Sequence, residues 1–379
     1  MKEVTLKICK TGHKFIIYLP KNFRENLPYK KGALVKIILR NKYSSSSLIT
    51  KFNHIMTIKK AVVNKLKIKD CLEIKIQIES FSQAKKSKDL FYGDKIDLLF
   101  FLPEKTRKGS EVYSEEVIIG KEFFIRLISI HSRGSSRPIL LKRFIDPRVF
   151  GKLLGQIQAE GTKTNLDILE FCNKNLLELR DFIYFLSEIG IPKDNLFVKL
   201  DYHVYFENKL QKIVEEFKDF LGLEVNYLSS SNRKAKGYGF KIILRNTVVS
   251  ELILNSLKLM RDNIENSKWD NNITAFSEGY ISKVLCGDGT FEITSKERRR
   301  VQSRIKIYDG NLKHLSHYSI VLRKFGFSPY VNEKYIFVKA MCNTKLANKL
   351  LEIGAFDTND NKQRINLFIK NNEATTKRK

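Results

Sequence analysis

Two acidic residues, Glu160 and Asp288, stand in the same local setting 128 positions apart (288 − 160). Each closes a run whose apolar residues recur at helical spacing, Leu153-Leu154-Gly155-Gln156-Ile157-Gln158-Ala159-Glu160 and Ile281-Ser282-Lys283-Val284-Leu285-Cys286-Gly287-Asp288. A glycine follows each acid, Gly161 in one case and Gly289 in the other. A carboxylate at a helix C-terminus faces the negative end of the helix dipole, which is mildly unfavourable. One acid before a capping glycine is ordinary, but two in equivalent settings ask for a positive partner. For carboxylates the fitting partner is a hard divalent cation such as Mg²⁺.

The elements around the acids recur as well. Strand-like segments follow, Leu166–Phe171 and Thr290–Thr294, and then amphipathic helical runs, LLELRDFIYFLSEIG ending at Gly190 and NLKHLSHYSIVLRKFG ending at Gly326. With this context, both acid-bearing segments resemble the LAGLIDADG motif of homing endonucleases. Residues 147–356 resemble a single-chain member of that family with two repeats, placed at 147–265 and 266–357.

That resemblance implies an α+β fold of two pseudo-symmetric αββαββα repeats and an Mg²⁺-dependent double-stranded DNA endonuclease acting as a monomer. Gly155 and Ala159, small and four apart, would let the two motif helices pack side by side, bringing Glu160 and Asp288 together over the DNA. Carboxylates so close repel unless divalent cations lie between them, and such cations stabilise the attacking and leaving oxygens of a phosphodiester displacement. The family also implies metal contacts from the backbone carbonyls of Ala159 and Gly287, and Gly161 and Gly289 would leave the helices in a left-handed conformation. Basic residues that position the phosphates and the attacking water are assigned to Lys241 on GYGFKIILRN and Lys339 on YIFVKAM, with Lys306 as a second choice for Lys339. Glu at 160 is a permitted variant of the motif, and Gln158 and Cys286 stand where an Asp is common. Lys283 replaces the motif's central glycine, so it should either spoil the close helix contact or point outward. The stretch KLQKIVEEFKDFLG reads as an insertion in the first repeat.

Each repeat would lay an antiparallel sheet in the major groove, which admits a β-ribbon. The expected contacts are Arg233, Lys234 and Lys236 in the first repeat. In the second they are Lys296, Arg298, Arg299 and Arg300 near a hairpin tip, with Arg304 and Lys306 on one strand face. Bulk charge supports a polyanionic partner. The 379 residues hold 69 Lys and Arg against 41 Asp and Glu, a net +28, and such a surface gains affinity by releasing counterions from phosphates. A membrane partner is not expected, since the longest apolar stretch, around Leu98–Leu102, is only strand-sized. Five scattered cysteines and an N-terminus without a signal-peptide core point to a cytoplasmic chain with reduced thiols.

The first 80 residues contain a duplication. Residues 16–39 overlie 55–78, with Ile16, Lys21, Leu27, Lys30 and Lys36 matched by Ile55, Lys60, Leu66, Lys69 and Lys75. The first copy, KTGHKFIIYLPKNFRENLPYKKGALVKIIL, resembles the swapped-hairpin AbrB-type DNA-binding domain, which implies a small mainly-β domain at 1–80. A β-rich connector is expected at 81–146, and 358–379 reads as a polar, frayed tail. Two other readings remain open: a DNA-binding transcriptional regulator that has lost cleavage, and an RNA-binding intron maturase. An intein does not fit, because the chain lacks an initial Cys or Ser and a final His-Asn.

Overall fold

Strict alternation of apolar and polar residues dictates the strands of the first 80 residues, because successive side chains point to opposite faces. In the computed structural model, β1 (Glu3–Thr11), β2 (Lys14–Tyr18), α1 (Lys21–Glu25) and β3 (Leu34–Arg40) are followed by a second such series. It runs β4 (Ser45–Lys51), β5 (Ile55–Ile58), α2 (Lys60–Lys65) and β6 (Glu73–Ser80). The structure describes residues 3–376 apart from 13, 26–33, 41–44, 52, 54, 59, 68–72, 81–83, 85, 132–133, 136–137, 162–167, 233–236, 298–299, 339–343 and 358–359.

The two series exchange strands. The sheet order is β4-β3-β6-β1-β2-β5, so β1 of the first series pairs with β6 of the second, and β4 pairs with β3. Equivalent strands meet at the centre, with Ile37 opposite Ile78 and Leu39 opposite Ile76. A shift of 39 residues interchanges those two pairs (37 + 39 = 76, 39 + 39 = 78), the relation expected of a duplicated unit folded on itself. Ile8, Ile17, Val35, Leu39, Ile74 and Ile76 from both series fill one shared core.

The following segment is mostly strand: β7 (Phe91–Tyr92), β8 (Lys95–Asp97), β9 (Glu111–Ile119), β10 (Glu122–His131), β11 (Gly134–Ser135), β12 (Ile139–Lys142) and β13 (Phe144–Ile145). The apolar stretch at 98–102 is not a strand. Leu98–Phe101 is a 3₁₀ turn, because Asp97 caps it by accepting from Leu99 N at 3.0 Å. Asp97 is also held by Arg143, whose Nη2 lies 2.8 Å from Oδ2, so this arginine is engaged in an internal ion pair.

The rest of the chain is α+β. It begins α3 (Pro147–Glu160), β14 (Leu169–Asn173), α4 (Leu176–Glu188), β15 (Leu196–His203), α5 (Leu210–Leu221), β16 (Tyr227–Ser231), β17 (Tyr238–Leu244) and α6 (Thr247–Asn266). It continues α7 (Asn271–Asp288), β18 (Gly289–Glu297), β19 (Arg300–Tyr308), α8 (Leu312–Lys324), β20 (Pro329–Asn332), β21 (Tyr335–Val338), α9 (Thr344–Glu352) and α10 (Asn361–Thr376).

Two four-stranded sheets form, in the orders β14-β17-β15-β16 and β18-β19-β21-β20. The path β14-β17-β15 runs antiparallel throughout, as does β19-β21-β20. α5 and β16 lie between β15 and β17 in sequence, and β16 joins the edge parallel to β15. α5 is therefore the stretch that reads as an insertion. The first strand-like segment was expected at Leu166–Phe171, and the described strand there is Leu169–Asn173. Among the described residues no helix is long and apolar enough to cross a membrane.

The expected frayed tail needs correction. Asn361–Thr376 is a helix, and Ile365 and Phe368, three apart, are fully buried on one face. The Phe368 ring packs edge-on to Phe291 of β18 at 5.8 Å. Two well-placed apolar side chains outweigh a polar average composition.

Candidate functional site

α3 and α7 pack along each other because glycines line the contact. A Cβ on Gly151 would sit 2.1 Å from Phe276 O, and one on Gly279 would sit 2.1 Å from Arg148 O. A Cβ on Gly155 would lie 2.3 Å from Tyr280 O. Backbone thus meets backbone, which no larger residue permits. Asp146 and Asp270 cap the two N-termini by accepting from Val149 N at 3.0 Å and Ile273 N at 2.8 Å. Near those ends Arg148 of α3 pairs with Glu278 of α7, which also takes Lys349 Nζ at 2.8 Å.

The C-terminal ends of the same two helices carry the acids. A Cβ on Gly287 would lie 2.6 Å from Ala159 Cβ and 3.7 Å from Glu160 Oε1. The Glu160 carboxylate therefore lies against the backbone immediately before Asp288. Glu160 is exposed and Asp288 half-buried. Ala159 and Gly287 fall among the last residues of their helices, where carbonyls lack an intrahelical donor and are available to a ligand. Among the described residues no three or more His, Cys, Asp and Glu side chains cluster as a metal site. Two carboxylates and two carbonyls are hard oxygen donors. They suit Mg²⁺ or Ca²⁺ and leave coordination positions for water and phosphate oxygens.

Two expectations about this helix pair are corrected. Gly161 and Gly289 are extended, at φ −82° and −94°, not left-handed. Glycine is needed there for space, since a Cβ would lie 2.6 Å from Ile157 O and 2.4 Å from Leu285 O. Lys283 neither spoils the contact nor reaches solvent. The absent side chain of Gly155 leaves room for Lys283 Cβ, and the chain then runs to α4. There Nζ lies 2.7 Å from Asp181 Oδ2 and 3.3 Å from both Glu178 oxygens, with 3% of the side chain exposed. Gln156 Nε2 donates to the same Glu178 carboxylate at 2.7 Å. Burial pushes the Lys283 pKa down, but Cys286, Glu178 and Asp181 outweigh it and raise the net value.

Lys241 lies on β17, with Cys172 of β14 and Lys199 of β15 as its cross-strand partners. Its ammonium is 3.2 Å from Asp201 Oδ2 and 3.3 Å from Glu170 Oε1, and Lys199 Nζ is 2.7 Å from Asp201 Oδ1. Burial lowers the Lys241 pKa, yet Asp201 and Glu170 override it and the ammonium is held charged. Cys172 links this cluster to the end of α3. Burial raises its thiol pKa, Lys241 opposes the rise, and Glu160, Glu170 and Asp201 add to it. The sequence reading missed Glu170 and Asp201, whose signal is their place on strands one residue from buried apolar neighbours.

On the second sheet Arg304 and Lys306 share one face, as expected from their period-two spacing. Arg304 pairs with Glu292 at 2.5 Å, and Lys306 Nζ lies 4.1 Å from the centre of the Tyr335 ring. Lys296 and Arg300 belong to β18 and β19 near the hairpin end, with Lys296 opposite Val301 and Glu297 opposite Arg300. Arg233, Lys234, Lys236, Arg298, Arg299 and Lys339 lie outside the described residues.

No protein-family model matches the chain, and no curated protein matches it. Among solved structures, the crystal structure of a substituted I-DmoI in complex with its target DNA and in the presence of manganese is similar over 56% of this chain and 94% of that one. Identity is 12% and the TM-score 0.27. That overlap is slight, and the functional reading rests on the geometry of the chain itself.

Proposed function

We propose that the chain is a metal-dependent, site-specific double-stranded DNA endonuclease of the LAGLIDADG type. Its two αββαββα repeats would be residues 147–265 and 266–357, and the duplicated, AbrB-like N-terminal unit would be an additional DNA-binding module. The observation that carries the reading is the Glu160 carboxylate lying against Gly287 at the shared end of two glycine-packed helices. Glu160 and Asp288, with the carbonyls of Ala159 and Gly287, would hold Mg²⁺ or a similar cation. Bound there, the cation supplies Lewis-acid stabilisation of the attacking and leaving oxygens. The protein's own part is to hold the two carboxylates rigidly at a helix pair that cannot shift without steric clash. The paired sheets would grip the duplex to either side, with Arg304 and Lys306 supplying positive charge in the second repeat.

One observation favours a second reading, a DNA-binding regulator without cleavage. Lys241, the expected phosphate-positioning lysine, is engaged by Glu170 and Asp201. Incubating the chain with a plasmid library in Mg²⁺ separates the two. Sequence-selective double-strand cuts that vanish in Glu160→Gln and Asp288→Asn support the endonuclease; tight, selective binding without any cut supports the regulator.

A further inference from the structure

The two sheets present different chemistry. The outward face of β14-β17-β15 is an ion-paired lattice of Glu170, Lys241, Asp201 and Lys199, two acids against two bases. The outward face of β18-β19-β21-β20 is aromatic. One cross-strand row on it reads Thr290, Lys306, Phe337, Tyr330, and the next pairs Tyr308 with Tyr335. Tyr330 is 60% exposed and Tyr308 50%, while the alternate residues Ile305, Ile307, Ile336 and Val338 fill the core. Nothing in the packing of the core calls for aromatic rings on the opposite face.

Exposed rings on a nucleic-acid-binding sheet have two uses: stacking on unpaired bases, or apolar contact with thymine methyl groups in the major groove. The ring faces decide between them. Lys306 Nζ lies 4.1 Å from the Tyr335 centroid and 5.9 Å from that of Phe337, and the Arg304 guanidinium carbon is 5.6 Å from the Phe337 centroid. The Tyr308 and Tyr335 rings are inclined at 56°, and Tyr335 and Phe337 at 34°. Cations cover these faces and the rings form no flat platform. What remains for contact is ring edges and the Thr290 methyl, flanked by cations that can reach phosphates.

We propose that the β18–β21 sheet reads thymine methyl groups, so that the half of the target beneath it is A·T-rich and recognised by apolar contact. The half beneath β14-β17-β15 is read by the polar groups of its ion-paired face. This proposal rests on the double-stranded DNA reading above and names the substrate of its second repeat.

The test uses the full chain and a duplex recovered from a random library by retention on the protein. Deoxyuridine, which lacks only the 5-methyl group, replaces thymine in each half in turn. In one half the replacement is expected to weaken binding about fourfold per contacted position, the effect of losing one buried methyl, while the other half is insensitive. Tyr330→Ser and Phe337→Ser are expected to lower affinity for the thymine duplex and to shrink its advantage over the uridine duplex. Retention of duplexes that bind equally with thymine or uridine in both halves overturns this proposal alone. Single-stranded DNA binding as tightly as the duplex overturns it in favour of base stacking. Failure to retain any duplex overturns the double-stranded DNA reading and this proposal together.

Discussion

The Lys283 ammonium of α7 lies 2.7 Å from the Asp181 carboxylate of α4, across the helix pair that carries the two acids. A residue that stands where the motif calls for glycine thus anchors one acid-bearing helix to the helix that follows the other. Breaking a buried ion cluster strands its remaining charges in low dielectric, at a cost of about 3–5 kcal/mol. Lys283→Met is expected to lower unfolding stability by that order in a denaturant titration, with Glu178→Gln in the same background restoring part of it. A loss under about 1 kcal/mol would mean the cluster is solvated in solution. The sign with pH is fixed by the raised Lys283 value. Its contribution is complete below the ordinary lysine pKa of 10.5 and fades as pH climbs through the raised one.

Gly279→Ala and Gly151→Ala each force a methyl to 2.1 Å from a backbone carbonyl of the partner helix. Overpacking of this kind costs about 1–3 kcal/mol or more. Gly310→Ala, where a Cβ meets nothing within 4 Å, is expected to stay within about 0.5 kcal/mol of the parent. Equal thermal-denaturation midpoints for all three would refute the close packing.

Much of this helix pair was legible in the sequence, because Gly155 and Ala159 are four apart and the acids sit in matched settings. Gly151 continues the same four-residue series and Gly279 lies two turns before Gly287, so the full contact was encoded at a spacing that the motif frame obscured. The conformation of Gly161 was not legible. A glycine after a helix serves either a left-handed turn or a tight steric gap, and only the position of Ile157 O tells which. The pairing of Lys241 with Glu170 and Asp201 depends on strand order β14-β17-β15, which places the three side by side although β17 comes last in sequence. The C-terminal helix was hidden by polar composition, since two buried residues suffice to dock it.

That helix yields its own expectation. Phe368→Ala removes a fully buried ring and is expected to cost about 3–5 kcal/mol, read by chemical denaturation. A neutral substitution would restore the frayed-tail description.

Cys172 reports on Glu160 without any metal or DNA. Because Glu160 raises its thiol pKa and Lys241 lowers it, Glu160→Gln should speed alkylation of Cys172 at pH 8 and Lys241→Ala should slow it. Peptide mapping after iodoacetamide pulses follows this cysteine separately from Cys9 and Cys286. Identical rates in both variants would place neither charge near the thiol.

The most direct test of a shared cation site is Mn²⁺ titration of the DNA-bound chain, followed calorimetrically, for the parent, Glu160→Gln, Asp288→Asn and the double variant. If one site joins both carboxylates, each single substitution is expected to weaken binding at least about tenfold, with the double adding far less than the sum, as coupled groups do. Losses that simply add, or parent-like affinity in either single variant, would contradict a cation held between Glu160 and Asp288.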